Sequence, residues 1–352
     1  MGALLGGLLL AEGALRWLLF SDSAAAIRLG RPFRSAALFL PTEALEDFEK
    51  LRVLLVPPNE RWQPGTPHPE LGWVRRDVDP ASLRHPGESE LRGRRPVLLY
   101  GSSFATNDSP AQPSFEALIE GTELGQRFCV LNYAAFAYGL DQTLLLQEKT
   151  LPFYAELDPV VVVAFALEDI PRCAVSFFCA PKPRYELAGD GLLAIAPLEL
   201  DLGHYLERYP PRVTSYLARY VRNRTGLAPG TAGETDSSDG TLEEGYRITR
   251  RLLARWNADC EARALSHFLW IFRAKWALPE DDRTRDRALL QYLHATHVPH
   301  VDSGADVRAA LAADTLDALT LGPGDRHPNE RGAAALLPGL VRGIEGGYDV
   351  AR

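Results

Sequence analysis

The sequence predicts an α/β fold: a three-layer sandwich around a central parallel sheet, flavodoxin-like in plan, preceded by an N-terminal apolar helix and an extended arm. Three observations carry that expectation. Short runs of consecutive apolar residues, such as VVVVAFAL at 160–167, fit strands buried on both faces and end in small or polar residues. Stretches of helical period separate these runs at short intervals, as in units of strand, helix and parallel strand. A content of 46% hydrophobic and 24% charged residues over 352 positions suits a packed fold of one large domain or two ordinary ones.

Residues 1–20, MGALLGGLLLAEGALRWLLF, read as an anchor-like helix. Nothing polar stands between Gly2 and Leu10, where a surface helix would carry a charged stripe, but Glu12 and Arg16 interrupt the run before the about 20 residues that span a bilayer. No basic residues precede the apolar stretch, as they would in a signal peptide. Membrane attachment through residues 1–20 is the expectation; the alternative is an amphipathic helix packed on the protein or lying in the membrane interface. Residues 21–95 are rich in Pro and Arg, sustain no period apart from a helical stretch near Pro41–Leu55, and read as an arm wrapping onto the main domain.

The main domain is expected over 96–352. Its first strand is Val97–Ser103, followed by a helix around Ser114–Glu123, a second strand in FCVLNYA, a helix around Gln142–Leu151 and a third strand at Val160–Leu167. An insertion at about 173–240 follows, with a hairpin over Arg184–Pro197 turning at Gly189-Asp190-Gly191, a helix through Tyr205–Arg222 and a Gly/Ser/Thr-rich loop at Gly226–Gly240. Helix Leu242–Ala264, strand His267–Phe272, helix Thr284–Thr296, strand His300–Asp302 and a last helix from about Asn329 complete the chain.

With 38 basic and 46 acidic residues, net charge −8, the chain lacks the positive field that a phosphate backbone requires, so nucleic acid is not an expected partner. Cys129, Cys173, Cys179 and Cys260 are too few and scattered for a disulfide framework and have no zinc-ligand spacing; a Cys173–Cys179 bridge is conceivable, and free thiols are the favoured reading. His294, His297 and His300 run across a helix end into a strand with no carboxylate close in sequence, so no metal site is expected.

In open parallel sheets ligands sit at the carboxyl ends of the strands. Those ends supply Gly101-Ser102-Ser103-Phe104, then Asn132 with AAFAYGLDQ, then Glu168-Asp169-Ile170, while GPGDRHPNERG places Asp325 and His327 in a loop before the last helix. A serine at a strand end, a histidine in a late loop and an aspartate two residues before it can serve as nucleophile, base and orienting carboxylate.

These four blocks resemble those of the GDSL/SGNH hydrolases, in the same order over residues 96–340; HPELGW before the domain, DQ at the second helix and the YELAGDGLL hairpin are similar to membrane-anchored bacterial members. The resemblance implies a serine esterase or acyltransferase without metal or organic cofactor, with Ser103 as nucleophile, His327 as general base and Asp325 as its partner. It implies a short acyl group, such as acetyl, on a glycan or small alcohol, and a membrane-associated, extracytoplasmic location, with a cytoplasmic one as the alternative. Three blocks depart from the pattern. Ser102 stands where the family has aspartate, Ala137 where it has the glycine whose N–H faces the oxyanion, and Glu168 where it has asparagine. An ionised carboxylate has no proton to donate and repels an oxyanion. Glu168 is therefore either protonated by burial, or damaging to turnover, or turned away with Asn107 or Asn132 as substitute donor. The rival reading is a catalytically degenerate domain that binds a glycan or a protein partner.

Overall fold

The computed structural model describes residues 2–41, 44–106, 114–189, 191–195, 199–225, 236–272, 284–322 and 325–346. Five strands form one parallel sheet: β1 (Arg95–Gly101), β2 (Phe128–Asn132), β3 (Val160–Ala166), β4 (Ser266–Phe272) and β5 (His300–Asp302), in the spatial order β2-β1-β3-β4-β5. This is the flavodoxin-like order, and the direction of winding reverses between β1 and β3, the place in doubly wound sheets where ligands bind at the carboxyl ends of the strands.

The strands are where the apolar runs placed them because a centre strand must be apolar on both faces; all seven residues of β3 are buried. Alternate side chains of β1 serve the two faces. Val97 and Leu99 join Val160, Val162, Phe268 and Trp270 in a core that includes Ala333, Leu336 and Leu340 of the last helix, Glu330–Ile344. Tyr100, of the opposite parity, bonds through its hydroxyl to Thr150 Oγ1 at 2.8 Å, at the end of helix Leu140–Thr150. A Cβ at Gly343 would lie 2.2 Å from the Phe268 ring, so glycine there lets the last helix close onto the sheet.

The chain divides into two units. The sheet unit comprises Pro64–Ala174, Pro183–Ala196 and Glu244–Arg352; the other comprises Met1–Gln63, Val175–Lys182 and Pro197–Glu243. Of the arm, residues 64–95 group with the sheet unit: Arg75 Nη1 donates to Asn132 O at 2.7 Å, His85 Nε2 lies 3.2 Å from the same carbonyl, and Trp73 Nε1 donates to Phe136 O at 3.0 Å.

In the other unit, helix Gly2–Phe20 buries Leu15 and Leu19 in a cluster with Phe39, Leu51, Leu55, Val213 and Tyr216. Leu4, Leu5, Leu8, Leu9 and Leu10 are exposed. By length and composition the helix is apolar enough to cross a membrane, with a mean hydropathy of 1.6. Glu12, which interrupts the apolar run, caps a second helix: its carboxylate accepts the hydroxyl of Ser215 (3.0 Å) and the N–H groups of Tyr216 (3.1 Å) and Leu217 (2.8 Å). That second helix, Tyr216–Thr225, and a shorter one at Leu202–Arg208 replace the single helix expected over 205–222, with Pro210-Pro211 in the gap. All four cysteines are free thiols.

Candidate active site

β1 runs out at Gly101, where a Cβ would lie 2.7 Å from Ala164 O; glycine is what lets the ends of β1 and β3 approach. The chain then turns, and Ser103, only 7% exposed, opens the short helix Ser103–Thr106. From the far end of the sequence, Asp325–Pro328 pairs antiparallel with Thr320–Gly322. Asn329 fastens this loop. Its amide donates to Ala318 O (2.8 Å) and Thr320 O (2.9 Å), and its oxygen caps the last helix by accepting from Gly332 N–H at 3.0 Å.

The loop carries the His327 ring to the first strand end. Nε2 stands 2.7 Å from Ser103 Oγ, and Nδ1 stands 2.7 Å from Asp325 Oδ1, which also accepts the His327 backbone N–H at 3.0 Å. Partial burial works against ionisation of Asp325, but the backbone and ring N–H groups of His327 outweigh it and hold the carboxyl below the usual range. An ionised carboxylate only accepts, so Nδ1 carries the proton and the Nε2 lone pair faces the Ser103 hydroxyl. Phe104 stacks on the imidazole with centroids 4.7 Å apart and planes at 23°, and the Phe136 ring lies 6.3 Å away at 28°. Phe136 remains 39% exposed, an apolar surface beside the histidine.

Ala137 follows at once and adopts φ +64°, the left-handed region that a glycine would occupy without strain. It is 1% exposed, and among the described residues its backbone N–H has no hydrogen-bond acceptor. Both neighbours are fastened: Phe136 O accepts from Trp73 Nε1, while Tyr138 donates its hydroxyl to Trp73 O and accepts from Arg172 Nη1 at its carbonyl (3.0 Å). A buried, unbonded N–H on a pinned loop is available to an incoming oxygen.

The other expected donors fare differently. Asn132 is fully buried and spends both amide protons inside the protein, on Ala105 O (3.0 Å) and Glu116 Oε2 (3.1 Å), while its oxygen accepts from Ala134 N–H at 2.9 Å. It is therefore a fastening of the β2 end and has no proton left for an oxyanion. Glu168 sits half-buried in the first turn after β3. Asn107 lies outside the described residues.

Asp169, the neighbour of Glu168, carried no expected role. It is 3% exposed and has Oδ1 2.9 Å from Arg172 Nη2. Burial pushes its carboxyl up, while the Arg172 charge works the other way. The sequence signal was an acid and a base three residues apart at a strand end, a spacing common on any helical turn.

No protein-family model and no curated protein sequence matches the chain. Among solved structures, an acetyl-xylooligosaccharide esterase from Geobacillus stearothermophilus is similar at 17% identity and a TM-score of 0.40, over 71% of this chain and 94% of that one. An acetyl xylan esterase is similar at 10% identity and a TM-score of 0.40, over 71% and 99%. An alpha/beta hydrolase from the metagenome of Lake Arreo, Spain, is similar at 11% identity and a TM-score of 0.41, over 72% and 96%.

Proposed function

We propose that this chain is a serine esterase or acyltransferase acting on a short acyl ester, with a glycan or small alcohol as the acylated group. The observation that carries the reading is the unbroken line from Ser103 Oγ through the imidazole to Asp325, 2.7 Å at each step. In the proposed reaction His327 Nε2 takes the Ser103 proton as Oγ attacks the ester carbonyl, and Asp325 stabilises the imidazolium that forms. The tetrahedral oxyanion receives the Ala137 N–H. His327 then returns the proton to the leaving alkoxide, and the acyl-serine is released to water or to an acceptor hydroxyl by the same steps in reverse.

The binding-only alternative draws on Glu168, an acid in the place of a neutral donor. Two variants separate the readings on a short-chain nitrophenyl ester. Ser103→Ala abolishes hydrolysis if the chain is an enzyme of this kind; hydrolysis at an undiminished rate excludes Ser103 as nucleophile. Glu168→Asn raises kcat if an ionised Glu168 opposes the oxyanion, by up to the about 10²–10³ that one such donor contributes; a kcat unchanged across the whole pH range separates Glu168 from the reacting centre. Membrane attachment belongs to the proposal as well, supported by the exposed leucines of Gly2–Phe20.

A further inference from the structure

Ser102 precedes the proposed nucleophile, and Tyr138 follows the residue whose N–H is proposed to meet the oxyanion. These two chain segments, 36 positions apart in sequence, are linked by one acid and one base from the turn after β3. Asp169 Oδ1 lies 2.9 Å from Arg172 Nη2, Arg172 Nη1 donates to Tyr138 O at 3.0 Å, and Ser102 is close enough to the Asp169 carboxylate to favour its ionised form. The planar guanidinium suits this task, since it presents separate N–H groups to two acceptors at once, which an ammonium at the end of a lysine does less rigidly. The loop makes room for it: a Cβ at Gly139 would stand 3.1 Å from Arg172 Cβ.

We propose that Asp169 and Arg172 are a positioning pair that holds the left-handed peptide of Ala137 in register with Ser103, in place of the glycine and aspartate that related blocks carry at 137 and 102. The inference rests on the esterase reading. An alanine at φ +64° is strained and relaxes by rotating its peptide, which would turn the N–H away from the reacting oxygen. The Tyr138 carbonyl belongs to the next peptide, so a bond to it resists that rotation. Neither Asp169 nor Arg172 touches the reacting atoms; each acts through Ala137 or Ser102.

The test compares Arg172→Ala in two backgrounds, the full chain and Ala137→Gly, by kcat and KM for nitrophenyl acetate, with Ser103→Ala measured alongside. A misplaced donor costs turnover, so Arg172→Ala lowers kcat by about 10–100-fold with KM changed less than about two-fold. Glycine tolerates φ +64° without restraint, so the loss shrinks several-fold in the Ala137→Gly background. An equal loss in both backgrounds overturns the role through Ala137, and an unchanged kcat in Arg172→Ala overturns the inference while leaving the esterase reading intact. Hydrolysis that survives Ser103→Ala overturns the esterase reading itself. Near-UV circular dichroism monitors folding; if Arg172→Ala does not fold, Arg172→Lys in the same two backgrounds decides, with the same expected and contrary results.

Discussion

Ala137→Gly removes one buried methyl group and is expected to leave the stability nearly unchanged, because relief of backbone strain offsets what the methyl group contributes. The left-handed conformation costs a residue with a Cβ about 1–2 kcal/mol, and Ala137 holds φ +64°. Against that gain, glycine loosens the unfolded chain, worth about 0.4–1 kcal/mol in the other direction. Loss of the buried methyl group, 1% exposed, takes away a further transfer contribution of about 0.8 kcal/mol, so the three effects nearly cancel and the net change is expected to lie within about 1 kcal/mol of zero. In thermal unfolding, 1 kcal/mol shifts Tm by about 2–4 °C for a body of 150–250 residues, so a Tm close to that of the unsubstituted chain is predicted. Ala254, exposed within helix Asp236–Ala262, is the control: the same substitution there lowers stability by about 1 kcal/mol, because a helix interior disfavours glycine. A fall in Tm for Ala137→Gly comparable to that of Ala254→Gly would refute the claim that position 137 is strained.

His85 supplies a pH prediction. Burial, then the Arg75 charge, lower its pKa from 6.5 to about 4, so below 6.5 the proton binds the unfolded chain more readily than the folded one. Stability therefore falls as pH drops from 6.5 towards 4, by up to roughly 3 kcal/mol, and chemical denaturation of His85→Gln over this range shows a shallower slope. At the N-terminus, exchanging Leu4, Leu5, Leu8 and Leu9 for Gln removes about 1.5–3 kcal/mol of apolar transfer per side chain, so sedimentation with phospholipid vesicles is lost while Tm holds, because Leu15 and Leu19 keep their cluster. Removing the whole helix would also take away those two core leucines; vesicle binding that survives the four substitutions would exclude this helix as the anchor.

The strands were legible because a buried parallel strand leaves few alternatives: VVVVAFA is apolar at every position and is buried at every position. Ser103, Asp325 and His327 could be singled out as a serine at a strand end and an aspartate and histidine in a late loop, and the fold brings the three side chains together; their catalytic roles belong to the proposal. Asn132 was misread because a polar residue at a strand end looks the same in sequence whether it faces the crevice or turns inward; Ala105 O and Glu116, which take its protons, are 27 and 16 positions away. Asp169 escaped notice for the opposite reason. Its partners Ser102 and Arg172 lie on different segments, and only the β1–β3 adjacency brings Ser102 to it. The ties of Trp73, Arg75 and His85 to the segment around Asn132–Phe136 were equally hidden, because residue type alone does not specify such hydrogen bonds.

The nucleophile is tested most directly by treating the full chain with a fluorophosphonate and mapping the adduct by peptide mass. One adduct per chain on the peptide containing Ser103, absent from Ser103→Ala and formed far more slowly in His327→Ala, is the predicted result. An adduct on another residue, equal labelling of Ser103→Ala, or an unlabelled wild-type chain would contradict it.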